Sequence, residues 1–419
     1  MPAVRGPCVA MKLLVITGAF PPMSAGEADH VFHLCRRLAD RGVDVHVVTS
    51  RGNKVSDSLP FKVYPVIRGW SWPDLFRLVR LFKRISPDAV LLKYIGWIYN
   101  DHPMVTFMPT VSKSLKRSAV FVTQFANAEG APPEKMSLGT RLLRNMIARK
   151  AGLACVDDHY GTLLRDSDRL IVLSNLHRTW LAGRFSPVRD KSVLIPPPPI
   201  MMMAQEPNGV GRERVRKKLG VGSDEFLLVY FGYVYPRKGV ETLLRAFQIV
   251  VRKQRNVRLL IVGGFIARDF PDYATYRNSV TALPKELGIE DKVIWFGGYD
   301  WNSDEASQNL RAADAAVIPM DYGVQMNNSA FAALVAHGLP VIATQGADLE
   351  EQFLNENNVL LCPPRDPAAM AASIEMLIGD PALARRLKAG ASELAEKWFS
   401  WDKAIDRTIS ALNGGERFS

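Results

Sequence analysis

Several features that would define a protein class are scarce in this chain of 419 residues. Its four cysteines are widely spaced and form no Cys-x-x-Cys pair, which excludes a disulfide-rich scaffold and a zinc site built on that motif. No apolar run approaches the roughly 18 residues that a spanning helix needs. The first ten residues lack the apolar centre of a signal peptide, and Met11 is a candidate start. We therefore expect a cytoplasmic protein.

Acidic residues are outnumbered, with 42 Asp and Glu against 53 Lys and Arg, so the formal net charge is +11. The excess is confined to one part of the chain. Residues 51–150 hold 17 basic and 6 acidic side chains, whereas residues 201–419 hold 25 and 27. An anionic membrane surface, an anionic substrate or nucleic acid could each face such a basic segment. Nucleic acid is not expected, because no recognised binding motif accompanies the charge.

Apolar and charged residues, at 47% and 23%, are present in ordinary globular proportions, and the length predicts two domains. The strand-like MKLLVITG is followed by a helical pattern and then by the alternating VDVHVVTS. A second strand and helix series begins at EFLLVYFG. This order favours parallel sheets with helical crossovers. The sequence therefore predicts an α/β protein of two doubly wound, Rossmann-like domains facing across a ligand-binding cleft.

Two loops of the second half carry residues suited to an anion. Arg237 and Lys238 follow a predicted strand and directly precede a helix that begins near Gly239. Helix amides and two cations at one place suit a diphosphate. A second buried helix begins with residue types that cap helices: Asn327, Asn328 and Ser329. Each loop alone could be a solvated turn or an ordinary cap, but together on neighbouring crossovers they favour a phosphate cradle.

The chain resembles a family-4-type retaining glycosyltransferase of the GT-B fold over nearly its full length. The similarity is carried by the loop PPMSAGEADH, the segment from Gly232 to Gly239, the GLPV motif and the C-terminal GDPALARRLKAGASELAEKWFSW. It implies an acceptor-side domain over residues 11–200 and a nucleotide-sugar domain over residues 201–395. A C-terminal helix within residues 396–419 would cross back to the first domain.

This resemblance implies transfer of a sugar from a nucleotide diphosphate sugar to an acceptor hydroxyl, with retention and with no metal or other cofactor. The product would belong to polysaccharide, glycolipid or natural-product assembly. The catalytic residues implied are Gln325, Lys238 and Arg237. The donor-binding residues implied are Gly18, Gly26, Gly232, Asn327, Asn328, Ser329 and Ala330.

The chain departs from the family pattern at five positions, two of which are Tyr233 in place of an arginine and Ala25 in place of a glycine. The two acids that such enzymes present to the donor fall on Gln325 and Ala333, and a histidine near the acceptor falls on Phe125. A subset of these enzymes reads much like GVQMNNSAFAALVAHG, so the substitutions also fit an active subgroup. Two other functions stay open: a relative that binds a nucleotide sugar without transfer, and a UDP-sugar 2-epimerase on the same fold.

Polar residues beyond strand ends of the first half are acceptor-side candidates. They are His30, Asp101, His102, Asn127 and Glu129. Asp101 and His102 fit a capped turn before a proline equally well. His30 and His33 lie three residues apart on a helix, but no third metal ligand is evident, and no metal site is predicted.

The basic segment includes GWSWPDLFRLVRLFKRISP, which has an apolar stripe at helical spacing and cations mostly on other faces. This pattern is typical of a helix that packs on a sheet and exposes a basic face. It also suits contact with anionic lipid if the acceptor is lipid-linked. The expected partners are therefore a nucleotide-sugar donor, a saccharide, lipid-linked or small-molecule acceptor, and an anionic membrane surface at the inner face, contacted through residues 51–150.

Overall fold

A computed structural model describes residues 11–23, 26–52, 58–128, 156–157, 159–205, 208–265, 271–300 and 303–415. Its contacts divide the chain into two compact units. The first unit comprises Met1–Pro196 together with Asp402–Ser419, and the second comprises Pro197–Trp401. The last stretch of the chain therefore returns to the first unit.

The first unit contains a seven-stranded parallel sheet in the order β3-β2-β1-β4-β5-β6-β7. Its strands are β1 Lys12–Ile16, β2 Asp44–Ser50, β3 Lys62–Ile67, β4 Ala89–Tyr94, β5 Val120–Phe125, β6 Arg169–Val172 and β7 Ser192–Leu194. Its helices are α1 Gly26–Asp40, α2 Trp72–Ile85, α3 Met108–Leu115, α4 Leu163–Asp166, α5 Asn175–Arg184 and α6 Val188–Lys191. Two 3-10 helices, Gly96–Tyr99 and Pro103–Phe107, follow β4. The strand order reverses between β1 and β4, which is where open α/β sheets bind ligands.

The second unit contains a six-stranded parallel sheet in the order β10-β9-β8-β11-β12-β13. Its strands are β8 Phe226–Phe231, β9 Val257–Val262, β10 Val293–Gly297, β11 Ala315–Ile318, β12 Val341–Thr344 and β13 Leu360–Cys362. Its helices are α7 Asn208–Lys218, α8 Val240–Lys253, α9 Pro271–Glu286, α10 Glu305–Ala312, α11 Ser329–Ala336, α12 Pro367–Gly379 and α13 Pro381–Trp398. A 3-10 helix spans Glu290–Lys292. The reversal of strand order lies between β8 and β11.

Alternation along β8 shows why this sheet is covered on both faces. Leu227 and Val229 join one buried cluster with residues of α11, while Leu228 and Tyr230 join a second cluster with residues of α8 and α12. Successive side chains of a strand point to opposite faces, so an apolar run must bury both. The predicted fold class, two Rossmann-like α/β units, is confirmed.

Helix boundaries follow capping chemistry in the C-terminal region. The Asp380 carboxylate accepts the amides of Ala382 and Leu383, at 2.9 and 3.0 Å, and so begins α13 with only Asp380 between it and the end of α12. Residue 396, expected to begin the last helix, lies inside α13. A separate helix, α14, spans Trp401–Leu412.

Candidate functional site

The loop after β8 positions the two predicted cations. Gly239 has φ of +72° and precedes α8, and a β-carbon there would lie 1.7 Å from the carbonyl oxygen of Pro319. Both the left-handed backbone and the close approach require glycine. Arg237 also adopts a left-handed φ, +73°, which is uncommon for a side-chain-bearing residue and occurs at functional loops.

This loop contacts the loop that follows β11. The amide of Asp321 donates to the carbonyl of Arg237 at 3.1 Å. The Arg237 guanidinium lies 5.4 Å from the ring centre of Tyr322. A β-carbon on Gly232 would lie 3.4 Å from that of Ala330, at the beginning of α11. The two sequence segments predicted to form a phosphate cradle are therefore in contact at the carboxyl edge of the second sheet.

Lys238 is the half-buried cation of the pair, whereas Arg237 is exposed. The Lys238 ammonium lies 5.0 Å from the ring centre of Tyr235. Loss of hydration lowers its pKa from 10.5 to about 8. An ammonium held in this environment gains more from an anionic ligand than a fully hydrated one does.

The beginning of α11 is capped by its own side chain. The Asn328 oxygen accepts the amides of Ala330 and Phe331 at 3.0 and 3.2 Å, and its amide nitrogen donates to the Met320 sulfur at 3.3 Å. The amide of Ala330, a residue that the family resemblance implies is donor-binding, therefore already has an intramolecular partner in this arrangement. Ser329 is the first residue of the helix, and Asn328 does not accept its amide.

Gln325 and Asn327 lie partly exposed on the loop before α11. The Gln325 carbonyl accepts the Asn328 amide at 3.0 Å, and the next residue, Met326, donates its amide to the Glu350 carboxylate at 2.7 Å. Glu350 is only 4% exposed, and the sequence reasoning missed it. An acid soon after a buried strand was the available signal, but only the fold shows that it anchors the Gln325 loop.

In the first unit, the structure explains Gly18 without a ligand. A β-carbon there would lie 2.1 Å from the carbonyl oxygen of Ile98, so the first 3-10 helix requires glycine at this position. Gly26, the first residue of α1, has open space around its β-carbon position. Of the two glycines of the first unit that the resemblance implies are donor-binding, only Gly26 has room beside it.

A buried cation beside α1 was also missed. Lys93, near the end of β4, is 1% exposed, and its ammonium donates to His30 Nδ1 at 2.8 Å. Its distance to the Glu27 carboxylate is 3.9 Å. Burial and the Lys93 charge lower the pKa of His30 far below its usual value, and burial lowers the pKa of Lys93 to about 8. His30 is therefore a neutral acceptor at Nδ1.

The other acceptor-side candidates have local structural roles. His102 Nδ1 accepts the Met104 amide at 3.1 Å, which caps the second 3-10 helix. Asp101 has a left-handed φ of +52° and donates its amide to the Gly96 carbonyl. Asn127 is exposed beyond β5. The prediction for Glu129 lies outside the described residues.

Phe125 stands where the family pattern has a histidine, and it is part of the core. Its ring lies 5.6 Å from that of Tyr94 and 5.3 Å from that of Tyr160, both edge to face. The site therefore has no titratable group at this position.

Within the described ranges, the structure has no cluster of three or more His, Cys, Asp or Glu that could hold a metal ion. The same part of the chain contains no helix long and apolar enough to cross a membrane.

Comparison with known proteins agrees with this architecture. Residues 25–198 match the family described as Glycosyltransferase Family 4, and residues 211–394 match Glycosyl transferases group 1. The chain is 24% identical to a D-inositol 3-phosphate glycosyltransferase of Xylanimonas cellulosilytica, with 96% of each chain covered. It is 23% identical to a GDP-mannose-dependent alpha-(1-6)-phosphatidylinositol monomannoside mannosyltransferase of Mycobacterium tuberculosis, covering 97% of this chain and 99% of the relative.

Among solved structures, HepE from Anabaena in complex with UDP and glucose has a TM-score of 0.68 at 16% identity. The match covers 96% of this chain and 99% of HepE. The two family matches are consecutive, one in each α/β unit, and the alignments with the two relatives named above span both. The chain is therefore a glycosyltransferase of the GT-B fold and belongs to the family-4-type, group 1 glycosyltransferases.

Proposed function

We propose that this chain transfers a hexosyl group from a nucleotide diphosphate sugar to an acceptor hydroxyl, with retention of configuration and without a metal ion. The observation that carries the proposal is the contact between the Lys238 loop and the beginning of α11 within one unit. It combines a partly desolvated cation, a second cation at Arg237 and the amino end of a helix. These groups suit a diphosphate leaving group.

The proposed catalytic residues would mainly stabilise the charge that develops on the leaving group. Lys238 and Arg237 would stabilise the negative charge that develops on the departing diphosphate, with the Ser329 amide as a further donor. Gln325 would hydrogen-bond sugar hydroxyls as an amide in place of a carboxylate. The acceptor hydroxyl would attack from the face that the diphosphate leaves, and a diphosphate oxygen would take its proton. Two protein cations supply the neutralisation that a divalent ion provides in other transferases.

The names of the relatives support a nucleotide-sugar donor and an anionic acceptor. HepE has been solved with UDP and with UDP-glucose, and the mycobacterial relative is named for GDP-mannose. One relative is named for an inositol phosphate and another for a phosphatidylinositol mannoside. An anionic saccharide or lipid-linked acceptor suits the excess of positive charge in residues 51–150. We propose synthesis of a polysaccharide, glycolipid or natural product in the cytoplasm.

The surface of α2 supports a contact with anionic lipid at the inner face of the membrane. Trp72 is 47% exposed and Phe76 is 77% exposed, and Arg80 and Lys83 continue the same solvent-facing stripe. The opposite face of α2 buries residues such as Phe82 against the first unit. Exposed aromatic rings followed by cations are typical of helices that lie in a headgroup region.

The donor and the stereochemistry can be tested together. The chain is titrated calorimetrically with UDP, GDP and ADP, and the matching sugar nucleotides are then assayed for hydrolysis and transfer. Proton NMR of the first product formed gives its anomeric configuration, and the assay is repeated with EDTA. We expect one preferred nucleotide, a retained anomer and unchanged rates with EDTA. An inverted anomer, or loss of activity with EDTA that Mg²⁺ restores, would contradict the corresponding part of the proposal.

The lipid contact is tested by co-sedimentation with vesicles of neutral lipid or of neutral lipid with about one third anionic lipid. We expect binding to the anionic vesicles only, weakened at high salt. Phe76→Ser should reduce the bound fraction severalfold. Met376→Ser is the matched control, since Met376 is 48% exposed on α12 of the second unit. Equal binding by both variants would reject α2 as the lipid surface.

A further inference from the structure

A cavity of about 380 Å³ lies in the second unit, away from the donor loops. Its lining includes Asp314, which precedes β11, and Pro340, which precedes β12. The Lys238 loop follows the end of β8, so it lies at the opposite edge of this parallel sheet. Four residues of β11 separate the edges by about 13 Å. The cavity is therefore a separate site.

Basic side chains from three elements line this cavity. Arg212 comes from α7, Arg311 from α10, and Arg385 and Lys388 from successive turns of α13. Asp314 is the single acidic residue in the described lining. Cations gathered around a concave, low-dielectric wall produce a stronger positive potential than the same cations spread on a convex surface.

Asp314 does not neutralise this set. Its carboxylate accepts Arg212 at 2.5 Å through one oxygen and Arg216 at 3.1 Å through the other, so two guanidinium groups share one negative charge. Arg216 is buried behind the lining. The lining cations of α13, Arg385 and Lys388, therefore add to a wall that already carries excess positive charge.

The Arg212 guanidinium is held in place. It donates to the carbonyls of Arg311 and Ala313 at 3.1 and 2.7 Å, besides its bond to Asp314. These three bonds use three of its five N–H groups. A fixed guanidinium with donors remaining loses little entropy on binding an oxyanion.

His337 forms an uncharged part of the wall. Its Nδ1 donates to the Ala333 carbonyl at 2.6 Å, and Nε2 accepts the Ser307 hydroxyl at 2.7 Å. Burial lowers its pKa to about 4. The positive charge of the cavity therefore comes from its arginine and lysine side chains and not from His337.

We propose that this cavity binds a small phosphate-bearing anion with two or more negative charges, independently of the donor diphosphate. The volume lies within the range of small-molecule sites and accommodates a diphosphate with a small organic group. Guanidinium groups match phosphate oxygens in pairs, and a divalent anion balances the excess charge better than a monovalent one. This site does not depend on the proposed transfer reaction.

The test uses the full chain and inorganic pyrophosphate as the probe, measured calorimetrically at low salt. The donor loop is first disabled by Arg237→Ala with Lys238→Ala, so that remaining binding reports on the cavity. We expect one pyrophosphate per chain in this background. Adding Arg385→Gln and Lys388→Gln should weaken that binding at least tenfold. Both substituted side chains are exposed, so the fold should be retained, and circular dichroism checks this.

Arg386→Gln in the same background is the matched control. Arg386 is the next exposed residue on α13, but it donates to the Glu356 carbonyl and does not line the cavity. Its substitution should change pyrophosphate affinity less than twofold. The proposal is overturned if no pyrophosphate binds once the donor loop is disabled, or if Arg386→Gln weakens binding as much as the cavity variant does.

Discussion

Lost hydration lowers the pKa of Lys238 to about 8, so this side chain loses its charge within an accessible pH range. The deprotonated amine cannot neutralise a diphosphate, whose phosphates are already ionised above about pH 7. We expect the affinity for the preferred nucleoside diphosphate to fall between pH 7 and 9.5. Calorimetric titrations at several pH values measure the change.

Two substitutions of Lys238 test the role of its charge: one removes the charge, and the other replaces it with a charge that does not titrate in this pH range. Lys238→Ala should weaken nucleotide binding by roughly 10- to 100-fold at pH 7, the cost of one charge-assisted bond. Lys238→Arg should bind with an affinity that stays flat to pH 9.5, because a guanidinium does not titrate there. A falling profile in the arginine variant would show that another group controls the pH dependence.

Lys93 predicts a second pH effect, on stability. Its pKa is lowered from 10.5 to about 8 in the folded chain, so the folded state resists charging this amine below pH 8. That penalty is fully present below pH 8 and disappears as the pH rises to 10.5. Relative to that of Lys93→Met, the free energy of unfolding of the wild type should therefore rise by on the order of 3 kcal/mol between pH 7 and 10.5.

Urea unfolding of both proteins, followed by a signal from the first unit, measures this difference. Lys83→Met, which removes an exposed lysine from α2, controls for the general effect of losing one positive charge. The stability difference between Lys83→Met and the wild type should change little over the same range. If the stability difference between Lys93→Met and the wild type also stays constant from pH 7 to 10.5, the Lys93 amine is not buried in the folded chain as described.

At the level of elements, the Asn328 cap connects the stability of α11 with the proposed donor site. Asn328→Ala removes an acceptor for two helix amides and should destabilise the second unit by about 1 kcal/mol. Asn328→Asp keeps an acceptor for those amides but adds a negative charge beside the diphosphate position. We expect the aspartate variant to be nearly as stable as wild type and to bind the nucleotide at least tenfold more weakly.

Thermal unfolding and nucleotide titration of the two variants test this separation. Asn327→Ala provides the stability comparison, because Asn327 lies next to the cap, whereas Asn328 is the N-cap residue of α11. Asn327→Ala should lower the free energy of unfolding of the second unit by less than about 0.5 kcal/mol. Unchanged nucleotide affinity in Asn328→Asp would indicate that the diphosphate does not approach the beginning of α11.

Most elements could be predicted from the sequence, since alternation and helical spacing record burial directly. Helix α9 was the exception among the larger ones, because Pro284 interrupts its sequence pattern near the end. The two loops proposed to bind the diphosphate could be singled out because cations and cap residues followed strand ends; the structure shows that they are in contact. Lys93 and Glu350 could not be singled out, because a charge inside the protein depends on partners distant in sequence, Glu27 and Met326 among them.

At the level of the whole molecule, α14 contributes to the core of the first unit. Ile405 is 2% exposed, whereas Asp402 bonds Arg41 at the surface. Ile405→Ala should destabilise the first unit by about 2 to 5 kcal/mol through the cavity it creates. Asp402→Asn should cost less than about 1 kcal/mol, since exposed ion pairs contribute little. Urea unfolding followed in each unit measures both, and equal effects would contradict this packing.

The return of the chain to its first unit also affects the order in which the two units can fold during synthesis. A ribosome completes residues 197–401 before it makes the stretch from Asp402 that the first unit requires. The second sheet can therefore form while the first unit still exposes the apolar surface that α14 later covers. A nascent chain arrested before this stretch should hold its second unit folded, with the first unit dependent on chaperones.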